Sequence, residues 1–352
     1  MFTLAQALLV VAAAVAAMFI ATRLAPQAYK WYVSFAFKLA FIVAAFVLIF
    51  QPQWFGFEQS LFGDADPVEV WNILVETTSA NLTTFLLCIA AATGVKLLGI
   101  FSGIIRWRLL LRGQGLHIPL WYMAYLWFMG RFVGLFLPGT LGLDGYRLIE
   151  SWRYTGEGVK CTTVVAVEKL IGFIALTFLV FLTFPLGYQY FDINTPLLAA
   201  ILLVLGAFVA VFFTLLLNPR VIQVGAAILP LPGFIKRTVN HLGIAVTAYS
   251  GHKFTLLAAV FFGLMVHVGT ALMYFFTFLG IRATGVTLAD TLFVSPLLIY
   301  GSVLTPTVSG LGVREFAFSF ILGDKAGGST AVLGGHLGLW SGELIPFMLS
   351  LP

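Results

Sequence analysis

Three sets of charged residues lie in apolar, proline- and glycine-broken stretches of the chain. In GRFVGLFLPGTLGLDGYRLIESWRY, Gly130 to Tyr154, Arg131 precedes a break at Pro138 and Gly139, and Gly142, Asp144 and Arg147 follow it. Glu168 and Lys169 stand side by side within the apolar run 161–184. In LTPTVSGLGVREFAF, Leu304 to Phe318, Pro306 is followed by Gly310, Gly312, Arg314 and Glu315. The planar guanidinium fork suits a phosphate, and the free amides at helix starts after such breaks add donors. The carboxylates can receive an ammonium, a proton or the arginines themselves. Four cations (Arg131, Arg147, Lys169, Arg314) face three acids (Asp144, Glu168, Glu315), one positive charge in excess. In a low-dielectric site that excess favours an anion.

Bond-making chemistry finds less support. The sequence has no HExxH, GxSxG or Walker loop. The acidic stretch 51–81 has no histidine or basic residue to work with its carboxylates. No catalytic residue and no cofactor is assigned, and the expectation is a protein that is not an enzyme, with an intramembrane transferase as the alternative. Cys88 and Cys161 lie in or beside apolar runs without CxxC or Cys/His spacing. They read as small core residues, and no metal site is expected.

The elements that must hold these charges are membrane helices. Hydrophobic residues make up 61% of the 352-residue chain and charged residues 9%, against about 25% charged in soluble domains. Several continuous apolar runs of about twenty residues match a bilayer's thickness, and their lack of alternation excludes a β-barrel. The net charge of +5 comes from Lys and Arg scattered at the ends of apolar runs. That is a positive-inside pattern and no sign of nucleic-acid binding. Apolar segments fall near 4–22, 32–50, 82–105, 119–138, 161–184, 196–217, 254–280, 287–308 and 331–350, with a shorter one at 315–323. Residues 1–22 lack a basic residue ahead of the apolar run, so they read as a retained first helix and not as a cleaved signal. No polar linker interrupts the chain, and 1–352 reads as a single transmembrane domain.

Charge sets the topology. Residues 51–81 carry five acids and no Lys or Arg and are placed outside, whereas 106–118 and 218–253 are basic and belong in the cytoplasm. If 119–138 crossed the bilayer fully, the basic stretch 218–253 would lie outside. If 119–150 enters from the cytoplasm, turns at Pro138-Gly139 and returns, every basic loop is inside. The second break, at 304–318, then enters from the outside. Non-helical backbone at membrane depth is tolerated only where protein or a wet cavity surrounds it. Two oppositely entering breaks are the pattern of an inverted-repeat transporter with a site near the midplane. The expected architecture is all-α and polytopic, about seven transmembrane helices plus two Pro/Gly-broken re-entrant hairpins. Glu168 and Lys169 point about 100° apart on their helix, so each needs a partner elsewhere. Two readings of the charges stay open: an ion-pair network that fixes the first hairpin, or a polar cavity that grips a head group.

Three motifs in order, FLPGTLGLDGYR, VEKLIGF and SGLGVREFAF, resemble the lysylphosphatidylglycerol synthase transmembrane family. These flippase-like proteins include the membrane domain of the bacterial multiple peptide resistance factor. The resemblance covers about 32–350, with 1–30 as an extra N-terminal helix and 31–350 as the flippase-like domain. It implies a multi-pass protein of the bacterial cytoplasmic (inner) membrane that moves lipids or lipid-linked head groups between leaflets. On the matching positions, the family's Pro-Gly loop falls on Pro138, Gly139, Gly142, Asp144 and Arg147. Its Glu-Arg pair falls on Glu168 and Lys169, and its late motif on Gly310, Gly312, Arg314 and Glu315. Lys169 departs from the family's arginine and lacks the bidentate fork. Nothing here resembles the resistance factor's soluble aminoacyl-transfer domain, so lipid aminoacylation is not implied. The implied partners are a membrane lipid with an anionic head group (phospholipid, glycolipid or polyprenyl phosphate) and a lipid-modifying enzyme, with no nucleic acid. An oligomer is compatible with the sequence. The alternative to a translocase is a non-transporting subunit that scaffolds a lipid-modifying or glycosyl-transfer enzyme.

Overall fold

The computed structural model describes residues 26, 30–55, 62–136, 141–191, 195–218, 221, 243–249, 251–305, 307 and 310–348. The apolar run 4–22, most of the basic stretch 218–253, and Pro138, Gly139 and Pro306 lie outside the described residues. Among those described there is no strand. The helices are α1 (Lys30–Phe50), α2 (Pro67–Gly113), α3 (Leu120–Phe136), α4 (Leu141–Thr155), α5 (Gly158–Gly187), α6 (Thr195–Leu217), α7 (Lys253–Gly280), α8 (Leu288–Leu304), α9 (Val313–Ala326), α10 (Gly328–Leu339) and the short α11 (Ile345–Met348). A single π turn, Trp340–Leu344, joins the last two.

Four helical stretches are long and apolar enough to cross a membrane: Pro67–Gly113, Gly158–Phe191, Thr195–Leu217 and Lys253–Gly280. Phe35–Phe50 and Leu288–Val303 are shorter apolar helices. α6 carries no charge, and few of its residues are buried by the protein, which fits a lipid-facing helix. The acidic stretch 51–81 is less of a loop than its composition suggests, because α2 begins at Pro67. The Asp66 carboxylate accepts hydrogen bonds from the amides of Val68 (2.6 Å) and Glu69 (3.1 Å), capping that start. Asn81 then leaves the helical region (φ −161°, ψ 78°), and its side chain accepts from the Thr84 amide at 3.0 Å. It caps a second segment, so α2 is two helices joined at a kink.

The chain forms two compact units. One comprises Lys96–Arg131 and Leu143–Thr270. Its core is built from helical-period residues: Ile100, Ile104, Trp107 and Leu111 on α2, and Val164, Val167, Ile171 and Ile174 on α5, all buried. Within it α3 and α4 run antiparallel. Tyr122, early on α3, has its ring 5.1 Å from that of Tyr154 at the end of α4. Gly130, further along α3, meets the start of α4 so closely that a Cβ there would lie 3.1 Å from the Leu143 carbonyl oxygen.

The other unit comprises residues 1–95, 132–142 and 271–352. Here α8 and α9 form a second antiparallel pair. Asp290 in the first turn of α8 is bridged by Lys325 near the end of α9 at 2.6 Å. At the other end of the pair, Gly301 of α8 faces Val313 of α9. A single residue, Gly327 with φ 81°, separates α9 from α10.

The two pairs share a register. α3 and α8 each have 17 residues, and both bounds of α8 (288 and 304) exceed those of α3 (120 and 136) by about 168, the difference 288 minus 120. The same offset carries Pro138 to Pro306, Gly142 to Gly310 and Leu143 to Leu311. The two pairs thus match as a repeated pattern of helix, Pro/Gly-containing stretch and second helix.

Candidate functional site

In the unit formed by Lys96–Arg131 and Leu143–Thr270, three helices bring five charged side chains together. α4 presents Asp144 and Arg147 three residues apart, hence on one face. Arg147 Nη2 donates to Asp144 Oδ1 at 2.6 Å, and its Nη1 donates to the Glu168 carboxylate of α5 at 3.2 and 3.3 Å. α2 adds Arg106, whose Nη2 donates to Glu168 Oε1 at 2.9 Å. Lys169 bridges to Asp144 Oδ2. Glu168 and Lys169 thus turn to different partners, as their angular offset requires. Among the described ion pairs the network holds three cations (Arg106, Arg147, Lys169) against two carboxylates (Asp144, Glu168), one positive charge in excess.

Arg147 is the best-enclosed member, 2% exposed. Its guanidinium lies 4.2 Å from the centre of the Trp127 ring and 4.9 Å from that of Trp107. Those indole faces favour a cation and shield it from solvent, by about 2 kcal/mol when desolvated. Asp144 sits in the first turn of α4, where the helix amides favour an anion. Glu168 is buried, whereas the Lys169 side chain is 44% exposed. Lys169 is therefore the member that a molecule outside the network can touch.

Arg314 and Glu315 belong to the other unit, at the start of α9. Both are buried, Glu315 completely. Gly310 and Gly312 have φ of 72° and 84°, a region that favours glycine, and they lead the chain into the helix. The Glu315 carboxylate reaches back to accept from the Gly312 amide at 2.7 Å, satisfying a free donor of the helix start. Its other oxygen meets His336 Nδ1 of α10 at 3.1 Å. Arg314 Nε donates to the Gly310 carbonyl at 3.4 Å.

Of the residues singled out from sequence, Asp144, Arg147, Glu168 and Lys169 form one bonded group. Gly310, Gly312, Arg314 and Glu315 form a second group. Gly142 is buried at the start of α4, and Arg131 is partly buried on α3. Sequence reasoning missed Arg106, which it counted among the basic residues marking the cytoplasmic side, and the tryptophans around Arg147. The run Arg106-Trp107-Arg108 at the end of an apolar stretch was the available signal. It also missed His336. In register, the repeat places Glu315 on Arg147 and His336 on Glu168, so both pairs span 21 residues.

The family model described as the lysylphosphatidylglycerol synthase TM region matches residues 39–337. No curated protein and no solved structure matches the chain. The match takes in every charged residue described above. The chain belongs to the lysylphosphatidylglycerol synthase TM-region family, and it is a multi-pass helical membrane protein of this lipid-related family.

Proposed function

We propose that the protein is a lipid translocase that passes an anionic head group between leaflets and makes or breaks no covalent bond. The observation that carries this reading is the network around Glu168. It holds a surplus cation, and its most accessible member is Lys169. A surplus charge in a low-dielectric setting is costly without an anion beside it. A phosphate supplied by a phospholipid, glycolipid or polyprenyl phosphate meets that need, and Arg131, close by in sequence, adds a guanidinium. In this reading the bilayer is the bacterial cytoplasmic membrane. Seven helices cross it, α3–α4 enters from the cytoplasm and α8–α9 from the outside, and the repeat is inverted. The antiparallel pairing of each set supports such hairpins, since both outer ends then lie on one side.

Reconstitution tests it. The protein is placed in phosphatidylcholine vesicles that carry a trace of head-group-anionic NBD-phosphatidylglycerol, and dithionite bleaches the outer leaflet. Protein-dependent loss of the protected pool, weakened by Lys169→Gln, is the expected result. Identical rates with and without protein refute translocation. A second reading, a non-transporting scaffold for a lipid-modifying enzyme, draws on the fact that both carboxylates are already matched by cations. Lipid mass spectrometry separates the two, since a translocase co-purifies with anionic lipid and the Lys169→Gln protein with less of it.

A further inference from the structure

We propose that Glu315 and His336 form a proton-binding pair that couples lipid movement to a proton, an inference that rests on the translocase reading above. The repeat supplies the comparison. At the two matched positions one copy carries Arg147 and Glu168, and the other carries Glu315 and His336. Arginine keeps its proton under all ordinary conditions, so the first pair is a permanent bridge. Histidine is the side-chain class that takes up and releases a proton in the physiological range, so the second pair can change charge.

The geometry suits proton exchange. Glu315 is fully buried, with one oxygen held by the Gly312 amide and the other by His336 Nδ1. The His336 side chain is 41% exposed while Glu315 is enclosed, so of the two it is the imidazole that groups outside the protein can reach. The charged neighbours come from several helices. Arg314 precedes Glu315 on α9, while Tyr274 of α7 lies within electrostatic reach of Arg314, Glu315 and Glu343 of the π turn. From α1, the apolar Ile42 and Ala45 abut Gly312, with buried Lys38 one turn before Ile42. α8 contributes Ser302 beside Gly310, and its Asp290 is bridged to Lys325 at the far end of the hairpin.

A proton on the imidazole turns the contact into an ion pair. Passed on to the carboxylate, the proton weakens the bond that caps α9 and so loosens the break at Gly310–Gly312. One proton moving with one singly anionic head group also leaves no net charge to carry through the bilayer. Fixed charge in one copy then holds the fold, and titratable charge in the other drives the cycle.

The test uses the full chain in phosphatidylcholine vesicles with NBD-phosphatidylglycerol, pyranine trapped inside, and the potential clamped by potassium and valinomycin. At one proton per lipid, a gradient of one pH unit should shift the inner-to-outer NBD-lipid ratio about tenfold, with pyranine reporting proton movement. His336→Arg places a permanent cation beside Glu315, and His336→Gln a neutral group that binds no proton. In both, the shift should vanish. Wild-type translocation that ignores the gradient, with silent pyranine, overturns the proton pair and leaves the translocase standing. A shift retained in both variants overturns the assignment to His336. No translocation by wild type in any gradient removes the translocase reading and this inference with it.

Discussion

Replacing Arg147 with glutamine removes the cation that bridges both carboxylates of the first network. Breaking a buried ion pair by deleting one partner typically costs about 3–5 kcal/mol. Here Glu168 retains Arg106 and Asp144 retains Lys169, so two cations face two acids and no charge is orphaned. The cost should fall near about 3 kcal/mol, part of it the lost contact with the two indoles. Glu168→Gln is the harsher change, because three cations then face Asp144 alone, and the upper figure of about 5 kcal/mol applies. Unfolding by graded SDS in mixed micelles, followed by tryptophan emission, gives both values. If Arg147→Gln costs as much as Glu168→Gln or more, the charge count does not govern the site. If either changes stability by less than about 1 kcal/mol, the group acts as an exposed pair would. Wild-type lipid movement by a well-folded Arg147→Gln protein would remove any head-group role for that residue.

Lys169→Gln should leave stability within about 1 kcal/mol, since the side chain is half exposed, yet reduce binding of phosphatidylglycerol relative to diacylglycerol. Equal binding of the two lipids by wild type would show that the charges do not read the head group. Single cysteines at Trp54 and Glu157, both exposed, should label with an impermeant maleimide from opposite faces of the membrane. Labelling from one face would make α3 a plain span. Gly312→Ala should lower the melting temperature, at a cost of about 1–3 kcal/mol. Its φ is 84°, and the new Cβ would lie 2.9 Å from that of Ala45. An unchanged melting temperature would refute that backbone geometry.

The runs at 82–105, 161–184, 196–217 and 254–280, and the shorter apolar helices within 32–50 and 287–308, were legible because length and composition mark apolar helices that suit a bilayer. The mutual need of Glu168 and Lys169 for outside partners followed from helix geometry, and Asp144 and Arg147 answered it. The helix from Pro67 was hidden by its acids, since only the caps at Asp66 and Asn81 reveal it, and capping depends on where a side chain turns. Arg106 was obscured because a basic residue at the end of an apolar run has a sufficient topological reason to be there. His336 lies in the glycine-rich GGHLGLW, with no charged neighbour in sequence to mark it. The repeat rests on shared proline, glycine and leucine positions, too few to stand out until the helix bounds supplied the register.

The wiring of Arg147 also bears on how the chain is made. α4 carries Asp144 and Arg147 on one face, and two such residues oppose membrane insertion by about 5–7 kcal/mol when a helix is offered alone. α4 therefore cannot partition as an independent segment. Its relief is Glu168, which lies 21 residues downstream. At a synthesis rate of about 5–20 residues per second, that carboxylate leaves the ribosome roughly 1–4 seconds after Arg147. If α3–α4 enters the bilayer as proposed, it must wait during biogenesis at the insertion machinery or the interface until α5 arrives. A chain truncated before Glu168 would present the quality-control proteases with an uninserted helix whose four charges, Asp144, Arg147, Glu150 and Arg153, sum to zero.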